Sequence, residues 1–337
     1  MKSTLVVLAV VAAALWLVQS ARAEAKHAKA RDFLFTFQVS ISSVPVDQAA
    51  RIWLPVPPSN REQSVVEAER QVPGDVQVNE EPKHGNRILF TMAKPEEGGS
   101  IDISVTYRIS RHEVNGEQPV EPTASQAEST YLLADARVPV GGKALRLLDG
   151  KKLPLDLNQR ARMLYDVVAD HLEYRKDKPG WGNGDSDWAC DSGFGNCTDF
   201  HSLFISLARA QQIPAKFEMG FPLPPERGEG AIPGYHCWAK FKTPGHGWTA
   251  VDISEARKHP ELRDYYFGNL TEDRVMFSTG RDLTLVPKQD GQPLNFFVYP
   301  YVEVDGKVWP ADKIKRTFRY RDVQPDPTKQ QSRADVK

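Results

Sequence analysis

Strict alternation of apolar side chains in two segments is the strongest constraint on how this chain folds. From Phe33 to Val39, phenylalanine or valine occupies every second position, and residues 101–109 (IDISVTYRI) repeat the pattern. A period of two is typical of strands with one buried face. Six prolines between positions 45 and 82 exclude long helices in the same region. We therefore expect residues 24–111 to form a small β-rich domain.

The rest of the chain divides by composition. Residues 112–129 are polar and contain prolines, which indicates a linker or a long exposed loop. Residues 130–323 are long enough for a second and larger domain. Residues 324–337 have almost no apolar side chains, so we expect a disordered tail.

The second domain shows helical patterns first and strand patterns afterwards. Apolar side chains recur at helical spacing from Leu157 to Leu172, and again in the run that follows Cys197. The turn sequences Asp290-Gly291 and Asp305-Gly306 predict hairpins. The segments with strand character are Ala215–Phe221, Tyr235–Phe241, Trp248–Ile253, Leu283–Val286, Phe296–Val304 and Val308–Trp309.

The first residues have the order of an export signal. A basic start precedes an apolar run from Leu5 to Val18, and Ala21-Arg22-Ala23 has the form of a signal peptidase site. The run is shorter than the ~20 residues of a membrane span. We expect cleavage after Ala23 and a periplasmic or secreted protein with no stable membrane span; an uncleaved anchor is the alternative. The net charge of −1 offers no basic field for nucleic acid.

Cys197 lies at the junction of a glycine-rich turn and an apolar helix in the sequence GFGNCTDFHSLF (193–204). Asn196 is a favourable N-cap, and Asp199 suits the first turn of a helix. A thiol at a helix N-terminus has a lowered pKa, and the backbone N–H groups around it can bind an oxyanion. We interpret Cys197 as a nucleophile.

A nucleophilic thiol needs a base, and the eight histidines offer two candidates. His236 lies in a strand pattern, and the next strand ends at Asp252, which could orient the imidazole. His201 lies one helical turn after Cys197 and is the alternative base, although it would lie beneath the sulfur. Position favours Cys197, His236 and Asp252 as the catalytic set.

These residues resemble the core of the transglutaminase-like superfamily. The resemblance covers roughly residues 131–286 and includes Gly195-Asn-Cys197, Ile213-Pro-Ala215, Gly220, His236-Cys-Trp238 and Trp248 before Asp252. Gln212 replaces the glycine usual before the Ile-Pro-Ala sequence. The resemblance implies an α+β, papain-like fold in which the helix bearing the nucleophile packs on an antiparallel sheet. It also implies Cys197 as nucleophile, His236 as base and Asp252 as orienting group, with no cofactor.

The same family often uses an aromatic side chain before the cysteine as a second oxyanion donor. This implies Tyr174, Trp181 or Trp188, of which Trp188 is nearest in sequence. Packing or substrate stacking is the alternative role for each of them.

Three cysteines in an oxidising compartment leave one unpaired if two form a disulfide. If Cys197 must be a thiolate, Cys190 and Cys237 are the remaining pair, with Cys237 pointing away from the catalytic sulfur. Two unpaired thiols are the alternative. A Cys190–Cys197 disulfide would block the nucleophile.

Two other functions compete with acyl transfer. A zinc site is disfavoured because the Cys and His spacing matches no compact zinc pattern, and we expect no metal. A catalytically silent scaffold that binds peptides or cell-envelope components is the alternative to an enzyme. The sequence favours a cysteine hydrolase or acyltransferase acting through a thioester on peptide or protein substrates, with cell-envelope peptides as candidates. Hydrolysis is favoured over amine cross-linking.

Overall fold

The computed structural model describes residues 29–96, 99–116 and 125–323. The expected signal peptide (1–23) and tail (324–337) lie outside the described residues, as does part of the expected linker. Within the described ranges, no helix has the length and apolar character needed to cross a membrane.

The described residues form strands and a smaller number of helices. The strands are β1 (Ala30–Ile41), β2 (Ala50–Val56), β3 (Gln63–Gln71), β4 (Gln77–Glu80), β5 (Arg87–Ala93), β6 (Ile101–His112), β7 (Glu173–Tyr174), β8 (Phe194–Gly195), β9 (Ala215–Pro222), β10 (Glu229–Ile232), β11 (His236–Lys242), β12 (Trp248–Val251), β13 (Arg274–Thr279), β14 (Tyr301–Val304), β15 (Lys307–Val308) and β16 (Ile314–Asp322). The α-helices are α1 (Ser125–Thr130), α2 (Leu157–His171), α3 (Ser186–Ser192), α4 (Cys197–Ala210) and α5 (Ile253–Lys258). Short 3₁₀ turns span Gly142–Leu148, Pro260–Leu262 and Ala311–Lys313.

The strands pair into three antiparallel sheets and one short parallel pair. The first sheet has the order β10-β16-β1-β6-β3 and the second the order β15-β14-β2-β5-β4. The third sheet, which carries the candidate site, has the order β12-β11-β9-β13. β7 and β8 pair in parallel.

The alternation in β1 buries one face of the first sheet, as predicted. Phe35 faces Tyr107 of β6 and Tyr320 of β16 across the strands. The Phe35 ring lies 5.1 Å from that of Phe221 in β9, and Phe221 lies 4.4 Å from Phe318 in β16. Buried aromatic pairs of this kind add to the stabilisation from burial alone. They join the first sheet to the third.

The C-terminal strands complete the sheets of the amino-terminal region. The sequence pattern places them in the 130–323 domain, but β16 pairs with β1 and β14 pairs with β2. Alternating Ile314, Phe318 and Tyr320 bury the inner face of β16 against the same core. A domain boundary near residue 130 stays a proposal, but the domain that would begin there no longer includes β14 and β16.

The predicted hairpins have different outcomes. Asp305 and Gly306 adopt positive φ angles of 50° and 69° between β14 and β15, so this hairpin is confirmed. The hairpin predicted at Asp290-Gly291 is not formed by two strands. Residues 283–286 form no strand, and Leu283 makes only an isolated bridge to Leu294.

Helix α4 is buried along nearly its whole length and packs on β11 and β9 of the third sheet. The α+β prediction, with a β-rich region before a helix packed on an antiparallel sheet, is confirmed. Because α4 begins at Cys197, this packing places the thiol where β11 begins.

Candidate active site

The start of α4 is fixed by a capping box. The Asn196 side chain accepts from the N–H of Thr198 at 2.9 Å, and the Asp199 carboxylate accepts from the N–H of Asn196 at 2.9 Å. These two residues satisfy donors that the first turn would otherwise leave without partners. Cys197 is the first helical residue, as the sequence predicted.

His236 and Asp252 meet at one edge of the third sheet. Ala239 of β11 lies opposite Val251 of β12, so β11 begins near the point where β12 ends. His236 Nε2 lies 2.7 Å from Asp252 Oδ2. Asp252 also caps α5, where its Oδ1 accepts from the Glu255 N–H at 3.1 Å. The short connection between the two strands thus aligns the carboxylate with the imidazole.

The thiol of Cys197 completes this row. It interacts with the His236 imidazole, and since Asp252 occupies Nε2, the nitrogen left for the thiol is Nδ1. Burial opposes protonation of the imidazole, but the charge of Asp252, its hydrogen bond and Cys197 together raise the pKa of His236 to about 10. Burial also opposes the thiolate, but hydrogen bonds from Cys237 and His236 hold the pKa of Cys197 well below its ordinary value. The surroundings favour a thiolate–imidazolium pair at neutral pH.

His201 occupies a supporting position. Its Nε2 accepts from the backbone N–H of Ile253 at 3.1 Å, and its Nδ1 lies 3.6 Å from the Cys237 sulfur. Complete burial lowers the pKa of His201 to about 4, so this imidazole is neutral. A neutral ring with Nε2 already bonded to backbone is poorly suited to take a proton from Cys197.

Residues 144–253 match the sequence model of the transglutaminase-like superfamily. The matched segment is about a third of the chain and is similar to the core domain of that superfamily. An uncharacterized protein of Haemophilus influenzae is 28% identical over 271 residues, which cover 68% of this chain and 73% of that protein.

One solved structure is similar in fold, and a second is a weaker match. One is a candidate cysteine protease from Cytophaga hutchinsonii, with a TM-score of 0.56, 14% identity and coverage of 89% of this chain and 93% of that chain. The other is the periplasmic domain of TgpA from Pseudomonas aeruginosa, with a TM-score of 0.37, 14% identity and coverage of 70% and 91%.

Of the three aromatic oxyanion candidates, Tyr174 interacts electrostatically with Cys197. Tyr174 pairs with Gly195 in the β7–β8 ladder. Burial and the charge on Cys197 raise the pKa of Tyr174. Trp188 packs edge-on against Phe194 at 5.3 Å. Trp181 is 36% exposed at the surface. Tyr174 therefore stays the candidate donor, although Trp188 is closer in sequence.

The possible Cys190–Cys237 disulfide is not formed in the structure. All three cysteines are unpaired and buried. The Cys190 sulfur lies 3.5 Å from the carbonyl oxygen of Lys143, whereas the Cys237 sulfur lies 3.6 Å from His201 Nδ1 and 3.9 Å from Thr198 Oγ1 in α4. Cys237 does not point away from the nucleophile, because its face of β11 is the one that packs on α4. Burial and the neighbouring Cys197 raise the pKa of Cys237, so this thiol is neutral.

Sequence reasoning missed several residues that support the site. Tyr235, directly before His236, places its hydroxyl 3.0 Å from Asn196 Nδ2 and 2.9 Å from Thr198 Oγ1 at the start of α4. Its adjacency to His236 was a signal that could have found it. Arg274 donates from its NH1 to Asp252 Oδ2 at 3.0 Å. No sequence signal distinguishes Arg274 from an ordinary strand arginine.

The loop that precedes α3 is bound to the start of α4. The Asp199 carboxylate accepts from the N–H of Gly182 at 2.7 Å and of Gly184 at 3.0 Å. Arg281 donates to the carbonyl oxygen of Gly184 at 2.7 Å and to Ser202 Oγ at 2.6 Å. These contacts fix one wall beside Cys197.

A buried ion network lies on the opposite face of β11 from α4. Glu218 accepts from Trp238 Nε1 at 2.7 Å and pairs with Lys240 at 3.2 Å. Lys240 also pairs with Glu62, which lies 3.1 Å from Arg111 of β6. The network therefore joins the amino-terminal region to the sheet that carries His236.

One group of metal-ligand side chains belongs to the candidate site itself. His236, Asp252 and Glu255 place ligand atoms within 4.8 Å of one another. His236 Nε2 and Asp252 Oδ2 already hydrogen-bond with each other, so we assign this group to the triad. The zinc alternative would draw its ligands from Cys190, Cys197, His201, His236 and Cys237. Of these, Cys190 lies apart, against Lys143.

Proposed function

We propose that this protein is an exported cysteine hydrolase that cleaves peptide or carboxamide bonds through Cys197, His236 and Asp252. The observation that supports the proposal is the group of these three buried side chains at the start of α4, with His236 hydrogen-bonded to Asp252 at 2.7 Å and interacting with Cys197. The export signal in residues 1–23 supports action in the periplasm or outside the cell.

The first half of the reaction forms a thioester. The Cys197 thiolate attacks the carbonyl carbon, and the carbonyl oxygen becomes an oxyanion. Cys197 is the first residue of α4, so its N–H has no acceptor within the helix and is available to the oxyanion. Tyr174 is the candidate second donor. The His236 imidazolium gives its proton to the leaving amine as the carbon–nitrogen bond breaks, which leaves an acyl group on sulfur and a neutral imidazole.

The second half consumes the thioester. His236 takes a proton from water, the resulting hydroxide attacks the thioester carbon, and the carbon–sulfur bond breaks to release a carboxylic acid and regenerate the thiolate–imidazolium pair. A primary amine attacking in place of water would give a new amide. Water is far more abundant than any amine, so hydrolysis is the favoured outcome.

The test uses purified mature protein, a library of cell-envelope and general peptides, and ¹⁸O-labelled water. Hydrolysis introduces one ¹⁸O into each new carboxylate, whereas an added primary amine captured in place of water gives a product heavier by that amine. Cys197→Ala is the matched control and should give neither product. Absence of any product, together with an ordinary pH profile for Cys197 alkylation, would favour the peptide-binding scaffold.

A further inference from the structure

Arg274 makes a buried contact with the orienting aspartate from a different strand. It is the first residue of β13 and is 3% exposed. Its NH1 donates to Asp252 Oδ2 at 3.0 Å, the oxygen that also lies 2.7 Å from His236 Nε2. The other oxygen, Oδ1, accepts from Ser254 Oγ and the Glu255 N–H, both at 3.1 Å. With donors on both oxygens, the carboxylate has one preferred orientation.

The surroundings of Arg274 keep it in place. Its guanidinium lies 5.0 Å from the ring centre of Trp238, whose Nε1 is bonded to Glu218. Two residues further along β13, Met276 exchanges two backbone hydrogen bonds of 2.9 Å with the Gln63 side chain. The strand that carries Arg274 is thus attached to the amino-terminal region.

We propose that Arg274 is a positioning residue for acyl transfer, an inference that rests on the proposed function. Its guanidinium holds Asp252 beside Nε2 of His236, so that Nδ1 of the same ring stays directed at Cys197. An arginine suits this task because it is permanently charged and presents its donors in a fixed plane. The amino-terminal region then contributes to catalysis by anchoring β13.

Several other groups set the electrostatics around His236. They are Asp252 and Glu255 near Nε2, Lys258 paired with Glu255, Cys197 and His201 from α4, Cys237 from its own strand, and Tyr165 and Tyr266 near Asp252. Removing the guanidinium takes a positive charge away from this group. The Cys197 thiolate is then less stabilised by nearby positive charge, so it should form at higher pH.

The experiment measures the rate of Cys197 alkylation by iodoacetamide against pH in the full chain. In Arg274→Met we expect the acid limb to move to higher pH, with alkylation near pH 5 about tenfold slower and alkylation near pH 9 within about twofold of wild type. Arg274→Lys should restore the wild-type rate to within about threefold, because it returns the charge. Arg209→Met is the control: Arg209 is also buried and pairs with Asp135 at 2.7 Å, but at the far end of α4.

A folded Arg274→Met protein with a wild-type pH profile would overturn the proposal. A loss of stability alone would not change the pH at which Cys197 ionises, so only a shifted profile supports a role at the site. If that variant does not fold, Arg274→Gln and Arg274→Lys decide the question. The glutamine variant must show the displaced limb and the lysine variant must not; a wild-type profile for glutamine overturns the inference. Failure of the proposed function is separate, since wild-type Cys197 would then titrate as an ordinary thiol.

Discussion

Replacing Asp252 by asparagine should remove most of the reactivity of Cys197 at acidic pH. Asparagine keeps the shape of the side chain and removes its charge. The 2.7 Å contact between Nε2 and Oδ2 puts the two charges about 4 Å apart between their centres, and unit charges at that distance interact by about 4 kcal/mol at an effective dielectric constant of ~20.

This energy accounts for the state of His236. A free energy of about 4 kcal/mol corresponds to roughly a thousandfold change in a protonation equilibrium. That matches the rise in the pKa of His236 from an ordinary value of 6.5 to about 10. Without the carboxylate, burial of the imidazole remains and favours its neutral form, so the pKa of His236 should fall to ~7 or lower. The thiolate–imidazolium pair then loses its stabilisation at neutral and acidic pH.

The assay is iodoacetamide alkylation of Cys197 from about pH 4 to about pH 10, with the modified cysteine located by tandem mass spectrometry. Wild-type protein should react well below the pKa of an ordinary thiol, ~8.5. Near pH 6, Asp252→Asn should react about 10²- to 10³-fold more slowly. Asp135→Asn is the control, since Asp135 is a 9% exposed carboxylate paired with Arg209 away from the triad. A folded Asp252→Asn protein whose profile stays within about threefold of wild type would refute this electrostatic account.

Four further predictions test the site and the fold. Cys197→Ala should abolish acyl transfer and His236→Ala should reduce it by about 10²–10⁴-fold, whereas His201→Ala should reduce it modestly; an inactive His201→Ala beside an active His236→Ala would reverse the assignment of the base. Glu218→Ala should lower the free energy of unfolding by about 1–3 kcal/mol in guanidinium titrations, because it leaves the buried Trp238 Nε1 without its acceptor and removes one of the two carboxylates that pair with Lys240. The surface change Asp166→Ala, at a partly exposed pair with Arg162, should cost about 0–1 kcal/mol, and equal losses for the two would contradict the burial argument. Gln212→Gly should raise the free energy of unfolding by about 1 kcal/mol, because Gln212 has a positive φ of 58°; a loss of stability would be the contrary result. Denatured, unreduced protein should give three alkylated cysteines in peptide mapping, and recovery of a Cys190–Cys237 peptide would contradict the observed placement.

Local sequence signals predicted the elements that carry the site. The capping residues Asn196 and Asp199 act within three positions of Cys197, so the start of α4 could be read directly from the sequence. Alternation likewise predicted β1 and β6, because burial on one face of a sheet imposes a period of two. The pairing of β16 with β1 could not be read in this way, since an alternating strand does not specify which edge it joins.

Contacts between residues distant in sequence were the main source of error. Arg274 and Asp252 are separated by α5, a 3₁₀ turn and a loop, and the arginine itself lies in an ordinary strand pattern. Its role is visible only once β13 and β11 flank β9 in the third sheet. The contact between Glu62 and Lys240 is likewise visible only in the structure, because these residues are 178 positions apart in the sequence.

The position of Cys237 shows why alternation misled the sequence interpretation. Neighbouring residues on a strand do point to opposite faces, and His236 and Cys237 obey that rule. The interpretation assumed that the face bearing His236 is the one that packs on α4. In the structure, Cys237 and Phe241 face α4, where Phe241 contacts Phe204 at 6.0 Å between ring centres. His236 reaches Cys197 because it is the first residue of β11. No earlier residue of that strand lies between its ring and the first residue of α4. A strand covered on both faces therefore brings two adjacent side chains near Cys197: the imidazole that we propose as its base and a second, neutral thiol.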